Sequence, residues 1–573
     1  MLSIFSLASF LSSAAQEKQV KIKILQTSDV HGAIFAHDFI DNKTSESSLA
    51  HVYSYLKQLR ENDDCELILL DNGDNLQGQP TVYYYNYIDT ADTHVISQVM
   101  NFMQYDAASV GNHDIEAGHP VYDRVRDEYR FPLLCANAVK TNGEPYFTPY
   151  VVFTRSGVKV AVLGLITPHI PHWLSENLWS GMSFEDMLES ARKWVEIIQK
   201  KEKPDILVGL FHSGCKSEGR YEAMNENASL DIALQVPGFD VVFAGHDHSK
   251  HCKQYAVGKN SVWLLDPASN ARYISEVDFT VVKKGAALKS KTSKARLLSV
   301  DSLGEASPDF SLFDRYFTAV KDFVSKPVGE FTESMTTREA YFGSSAFIDF
   351  IHRIQLDVAE ADISFVAPLS FDVEIGKGTI YVRDLFKLYR YENMLYAMEL
   401  TGREVKDYLE FSYGLWLNTM KSPDDRLLLI HEREANSGAY RFVNPSYNFD
   451  SAAGIIYEVD VSKPVGERIQ IKSMADGEAF SLDKSYRVAL NSYRGSGGGG
   501  HLIEGARIAK DELSKRTVFA SPVDFRFYLM NRIEKEKIVE VKPLNQWKIV
   551  PENLIKKALV RDYIELFGNK NNF

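Results

Sequence analysis

Val241-Val242-Phe243-Ala244-Gly245-His246-Asp247-His248 is the stretch that decides the fold: a short apolar run, a glycine, then two histidines flanking an aspartate. Short apolar runs closed by glycine and polar residues read as buried strands. Side chains just past strand ends converge on one edge of a sheet, where α/β folds place their ligand sites. The same construction occurs four more times upstream. Residues 22–25 lead to Asp29 and His31, 67–70 to Asp71 and Asp74, 107–110 to Asn112 and His113, and 206–211 to His212.

The donor types define what such an edge could hold. His31, His212, His246 and His248 offer imidazoles, Asp29 and Asp74 carboxylates, and Asn112 an amide. A mixed nitrogen and oxygen set suits Zn, Mn, Fe, Co or Ni better than Mg or Ca. Seven donors exceed the four of a tetrahedral ion. Two ions sharing one carboxylate would use them all, and ions about 3.5–4 Å apart are the arrangement that clamps attacking and leaving oxygens in phosphoryl displacement.

These motifs, taken in order, resemble the metallophosphoesterases: Asp29-Val30-His31, Gly73-Asp74, Gly111-Asn112-His113-Asp114, His212 after its strand, and Gly245-His246-Asp247-His248. Gln77-Gly78-Gln79-Pro80 is similar to the secreted nucleotidase branch. The second half agrees through Leu388-Tyr389-Arg390-Tyr391-Glu392-Asn393, Leu400-Thr401-Gly402, and Asn491-Ser492-Tyr493-Arg494 running into Gly497-Gly498-Gly499-Gly500. The resemblance implies a metallophosphoesterase β-sandwich flanked by helices, joined by a linking helix to a nucleotidase substrate-binding domain, α/β and α+β in class. It implies two divalent ions, Zn or Mn, one on Asp29, His31, Asp74 and His248, the other on Asp74, Asn112, His212 and His246. His113 matches the catalytic histidine, and Glu116 stands where nucleotidases usually carry the supporting aspartate. Tyr391 and Tyr493 match the aromatics that sandwich a nucleobase, with Asn393 hydrogen-bonding nearby.

Departures select a branch. The segment Phe365-Val366-Ala367-Pro368-Leu369-Ser370-Phe371 lacks the Gly-x-Arg of 5′-nucleotidases and UDP-sugar hydrolases, and Gly499 replaces their aspartate. The pattern looks more like the 2′,3′-cyclic-nucleotide 2′-phosphodiesterase/3′-nucleotidase branch, so cyclic and 3′-nucleotides are the expected substrates, with 5′-nucleotidase or UDP-sugar hydrolase as the alternative. An inactive nucleotide-binding or surface-adhesion protein is the reading from another class.

Plainer roles are expected for the neighbours. Asp71, Asp114, Asp247 and His251 read as supports behind the ligands or as surface residues. Tyr83, Tyr84, Tyr85 and Tyr87 read as packing, because aromatics are mostly spent on burial. The glycine run at 497–500 lacks the GxxxxGK[ST] spacing of a phosphate loop and reads as a close approach to a ligand.

At 573 residues and 45% hydrophobic content the chain should hold at least two domains. Its net charge of −13 argues against a nucleic-acid polymer as partner. A small nucleotide remains compatible, since metal ions supply local positive field. The expected organisation is a signal peptide at 1–15, a catalytic domain at 20–300, a linking helix at 308–326, a substrate-binding domain at 327–530 and a tail at 531–573 that packs a helix and frays. The charged, Ser-rich passage 283–307 reads as surface or boundary. Residues 1–15, MLSIFSLASFLSSAA, are apolar and end in small residues but lack a basic start, and they motivate the expectation of export to the periplasm or exterior. No later run reaches the ~18 apolar residues of a membrane span. Cys65, Cys135, Cys215 and Cys252 show no CxxC pairing. Base and metal sites on separate domains lead us to expect an interdomain rotation during turnover; nothing in the sequence sets an oligomeric state.

Overall fold

The computed structural model describes residues 16–61, 65–215, 223–431 and 440–568; the expected signal peptide lies outside the described residues. Two six-stranded sheets form the centre of the N-terminal half. One runs in the order Ala287–Ser299, Tyr273–Lys284, Glu17–Thr27, Glu66–Asp71, Ala107–Ser109, Leu133–Leu134. The other runs Lys250–Val257, Asn260–Pro267, Val241–Phe243, Ile206–His212, Val158–Ile166, Tyr150–Arg155. Ile22, Ile24, Ile68 and Leu70 of the first meet Val160, Val208, Leu210 and Phe243 of the second, all essentially without solvent contact. Strands buried on both faces read as continuous apolar runs, which is why the short motif strands were visible in the sequence.

The outer faces are covered by helices, among them Leu49–Glu61 and Val95–Met103 on the first sheet and Met187–Lys201 on the second. The helix Met187–Lys201 starts where the Asp186 side chain accepts from the Glu189 amide and ends on Lys200 and Lys201, placing charge to suit the helix dipole. All five motif strands are present, but they come from two sheets rather than one. Glu17–Thr27, Glu66–Asp71 and Ala107–Ser109 belong to the first, Ile206–His212 and Val241–Phe243 to the second.

One boundary needs correction, and the passage expected as surface is surface in the form of an edge strand. Passage 283–307 contains a 13-residue strand, Ala287–Ser299, along the sheet edge. Its lysines point the composition toward loop, yet charged side chains are how edge strands avoid pairing with other chains. The boundary at 530/531 falls inside the helix Phe525–Glu536, and the segment beyond it is built into the second domain. Trp547–Val550 pairs parallel with Ile455–Asp460, and Glu552–Phe567 buries Ile555, Ala558, Tyr563 and Phe567. A narrow apolar stripe on a Lys- and Glu-rich helix hides in composition.

A 3₁₀ turn Pro308–Phe313 and the helix Asp314–Val324 lead into the strand Pro327–Phe331. The second half carries a five-stranded sheet in the order Ser451–Ala453, Ile363–Val366, Ser485–Asn491, Met394–Thr401, Thr517–Asp524. The Thr401-Gly402 motif is explained locally: Thr401 and Glu404 form a capping box on the helix Gly402–Trp416. A β-carbon on Gly402 would lie 2.1 Å from the Ser481 carbonyl oxygen. No helix among the described residues is long and apolar enough to cross a membrane.

Candidate metal centre and interdomain cavity

Strand ends from both sheets deliver Asp29, His31, Asp74, Asn112, His212, His246 and His248 to one place. Ligand atoms of Asp29, His31 and His248 lie within 4.8 Å of one another, as do those of Asp74, His212 and His246. Five of the seven hold left-handed backbone conformations, with φ of 50° at Asp29 and His31, 58° at Asp74, 74° at His246 and 54° at His248. Such conformations cost about 1–3 kcal/mol each and cluster at functional sites. The glycines of the motifs make room: a β-carbon on Gly111 would sit 2.1 Å from Asp74 Oδ1, and one on Gly245 2.2 Å from Ser28 Oγ.

Hydrogen bonding shows where the imidazole lone pairs point. His31 donates from Nδ1 to the Gln77 carbonyl at 2.9 Å and His212 from Nδ1 to the Asn72 carbonyl at 2.6 Å, leaving Nε2 bare on both. Bare Nε2 of His212 faces Asn112 Oδ1 and Asp74 Oδ2, each at 3.1 Å. His246 turns Nδ1 to Asn112 Oδ1 at 2.8 Å, and Nε2 of His31 faces Nε2 of His248 at 3.0 Å. Asp74 Oδ2 is buried without a hydrogen-bond donor. Acceptors facing acceptors at these distances require positive charge between them, so the residues fit divalent ions.

The electrostatics also favour positive charge at this point, which a proton on His212 or a divalent ion can supply. Burial works against charge on His212, yet the Asp74 carboxylate beside it pushes it up to about 10. Burial opposes ionisation of Asp29 too, but the His248 hydrogen bond and the charge of His212 hold it down at about 2. Burial takes His31 down to about 4. His113, on the short helix Asn112–Glu116, donates from Nδ1 to Glu116 Oε2 at 2.5 Å, and its amide donates to Asp74 Oδ1 at 2.8 Å. Burial lowers its affinity for a proton, while Asp74 and Glu116 outweigh that and push it up to about 9.

The expected supports are in place. Asp114 accepts from the amides of Asp74, Asn75, Leu76 and Gly111, pinning two ligand loops together. Asp71 accepts from Thr27, Gly73 and Asn75, and Asp247 from the amides of Cys215 and Ser249. His251 lies away from the ligands against Tyr255. Glu226, absent from the sequence reading, accepts from His246 Nε2 at 2.9 Å.

A cavity of about 960 Å³ opens beside this centre and continues onto the second domain, with His31, His113 and His248 on one wall and Phe371, Tyr391 and Tyr447 on another. Tyr391 therefore faces the cavity. Tyr493 is not among its lining residues; its ring is so close to Gly498 that a β-carbon there would lie 2.5 Å away, which accounts for that glycine. Asn393 is buried, and its backbone carbonyl accepts from the Phe525 amide at 2.9 Å. Buried Arg494 holds the glycine loop, donating to Asp450, to the Gly498 carbonyl and to the Tyr447 carbonyl. Tyr83 and Tyr85 are buried as packing residues, and Tyr83 does more: its hydroxyl donates to Asp524 at 2.9 Å and its ring lies 4.5 Å from the Arg526 guanidinium. Lys387 pairs with Asp41 at 3.2 Å across the same interface.

Comparison with known proteins matches both halves of the chain. Residues 22–250 match the calcineurin-like phosphoesterase family and residues 327–504 the 5′-nucleotidase C-terminal domain. The chain is 28% identical over 595 residues to the trifunctional nucleotide phosphoesterase protein YfkN of Bacillus subtilis; the match takes in 93% of this chain but only 39% of that protein. It is 26% identical to the 2′,3′-cyclic-nucleotide 2′-phosphodiesterase/3′-nucleotidase of Salmonella typhimurium, over 95% of this chain and 91% of the relative. A Staphylococcus aureus protein described as a candidate 5′-nucleotidase has a similar fold, with a TM-score of 0.76 at 21% identity over 92% of this chain and 99% of its own. The chain thus joins a calcineurin-like phosphoesterase domain to a 5′-nucleotidase C-terminal domain and is a nucleotide phosphoester hydrolase of the 5′-nucleotidase family of metallophosphoesterases.

Proposed function

We propose that this chain hydrolyses 2′,3′-cyclic nucleotides and 3′-nucleotides in preference to other nucleotides, ending in nucleoside and phosphate. The observation that carries the metal-dependent part is the convergence of the His212 and His246 ring nitrogens on Asn112 Oδ1 beside the orphaned Asp74 Oδ2. Asp29, His31, Asp74 and His248 would hold one ion, Asp74, Asn112, His212 and His246 the other, with Asp74 shared. The donor mixture favours Zn or Mn. Two such ions supply a local positive field and lower the pKa of a bound water.

The protein's own groups do the rest. His113, anchored through Nδ1 by Glu116, presents Nε2 with a proton for the departing alkoxide oxygen. Tyr391 offers its face to a base, with Tyr493 and Asn393 assigned to the same subsite through the family pattern. Stacking is tolerant of base identity, so purine and pyrimidine substrates are both expected.

The absence of arginine in 365–371 supports the cyclic and 3′ preference. A 5′-nucleotidase or UDP-sugar hydrolase is the second reading; Arg272 and Arg390 in the cavity wall suit the second phosphate of a nucleotide sugar. Release of phosphate or nucleoside from 2′,3′-cyclic AMP, 3′-AMP, 5′-AMP and UDP-glucose separates the two. Faster turnover of the first pair supports our reading, and preference for the second pair replaces it. Binding of nucleotide without turnover of any would establish the adhesion or binding class instead.

We also propose export to the periplasm or exterior, on the composition of residues 1–15. A mature protein in the cell envelope beginning near Gln16 is expected; an intact Met1 in the cytosol would overturn it.

A further inference from the structure

We infer that Arg526 is a positioning residue for Tyr391: it grips the residues on either side of that tyrosine and registers them against Tyr83 of the phosphoesterase domain. The inference rests on the base-stacking role proposed for Tyr391 above.

Tyr391 reaches the cavity from the turn 389–393, and that turn is held from behind by the first residues of the helix Phe525–Glu536. The Phe525 amide donates to the Asn393 carbonyl at 2.9 Å, and the Phe525 ring packs on Tyr389 with centroids 5.0 Å apart. Arg526 Nη2 donates to Glu392 Oε1, and Nη1 donates to the Arg390 carbonyl at 3.4 Å. Both neighbours of Tyr391 are therefore held by one guanidinium. Glu392 Oε2 is buried without a donor, so Arg526 is the group that keeps this carboxylate in place.

The same guanidinium meets the other domain. Its centre lies 4.5 Å from the ring of Tyr83 and 4.3 Å from that of Phe386, and the two rings meet edge to face at 5.2 Å. Asp524 completes the joint: Oδ1 caps the helix through the Arg526 amide, and Oδ2 accepts from the Tyr83 hydroxyl at 2.9 Å. Tyr83 ends the helix Pro80–Tyr83, which follows directly on Gln79, whose amide donates to the His31 carbonyl at 2.9 Å. A short chain of packed groups thus links the loop of His31 to the turn of Tyr391.

Arginine suits this place and lysine does not. Its planar fork spans two acceptors while its faces stay free for aromatic rings, which a point charge on a flexible stem cannot reproduce. Replacing a buried ion pair by apolar residues is often neutral for stability. What this pair supplies is one fixed arrangement of the turn.

The test is a double-mutant cycle with Tyr391→Ala, read as KM and kcat for whichever of 3′-AMP and 5′-AMP is turned over faster. Because a lone buried charge is destabilising, Arg526 and Glu392 are replaced together, as Arg526→Met with Glu392→Leu. KM should rise at least about 5-fold, the weak end of an aromatic–base contact, and kcat should change less than KM. In the Tyr391→Ala background the same two substitutions should add no further rise, because they act through that ring. Arg526→Lys, which keeps the charge without the fork, should fall between wild type and the paired variant. An unchanged KM, or a rise by the same factor with and without Tyr391, would overturn the inference. Should the paired variant fail to fold, Tyr83→Leu takes its place in the cycle: a rise in KM that vanishes in Tyr391→Ala is expected, and no rise, or one that persists there, would overturn it. A wild-type KM in Tyr391→Ala alone would remove the base-stacking reading itself, a result told apart from the others by that single variant.

Discussion

Glu116 Oε2 lies 2.5 Å from Nδ1 of His113, one helical turn away on Asn112–Glu116. The additional methylene relative to aspartate is taken up within that turn, so the longer carboxylate still holds the imidazole.

His113→Ala should therefore reduce kcat by about 10²- to 10⁴-fold, the range of general acid–base contributions. Glu116→Ala should cost less, because it removes an orienting partner rather than the proton donor, and Glu116→Asp should recover part of the loss. Steady-state kinetics on one nucleotide decide this. A Glu116→Ala enzyme with an unchanged kcat and pH profile would remove Glu116 from the machinery.

Tyr391→Ala and Tyr493→Ala should raise KM for nucleotides. Stacking worth about 1–3 kcal/mol corresponds to about a 5- to 150-fold change. p-Nitrophenyl phosphate, which carries no base, should be hydrolysed as by the wild type. Equal losses on both substrates would make these tyrosines structural.

Separate domains sharing one cavity predict motion in the cycle. A cleavable bifunctional thiol crosslinker joining cysteines placed at Asp41 and Lys387, whose side chains now pair at 3.2 Å, should stop turnover until it is cleaved. Undiminished turnover in the crosslinked form would show that product leaves without domain opening.

Two buried histidines predict acid sensitivity. Burial holds both His94 and His352 at about 3, well below the ordinary 6.5. Their neutral forms are favoured in the fold, so above 6.5 neither state binds a proton at these two residues and their contribution to stability is constant. Below it the unfolded chain binds protons that the fold refuses. Stability should fall from pH 6.5 toward 3 with a slope of up to about 1.4 kcal/mol per pH unit for each histidine. His94→Asn and His352→Gln, compared by denaturant unfolding at pH 7 and 5, should flatten that slope; an unaltered slope would place the sensitivity elsewhere.

The catalytic half was legible because its motif strands are buried on both faces, so each appeared as a compact apolar run ending in ligand residues, as Ile206–His212 does. That they come from two sheets was hidden, since pairing is decided by long-range packing. The edge strand Ala287–Ser299 was missed because its exposed lysines resemble a loop. Glu226 left no local signal: it lies outside every motif, and its role exists only once the chain folds residues 224–229 back onto Ser213. The left-handed conformations at Asp29, His31, Asp74, His246 and His248 were equally invisible, since non-glycine residues adopt them only where the surrounding structure enforces them.

The most direct test of the central claim is a titration of chelated, metal-free protein with Mn or Zn, following hydrolysis of 3′-AMP and 2′,3′-cyclic AMP. Turnover should be absent at the start and should rise to a plateau at two ions per chain. In Asp74→Ala, which lacks the shared carboxylate, it should stay near zero throughout. Turnover that survives complete chelation, or that saturates at a single ion, would contradict a two-metal centre built on these residues.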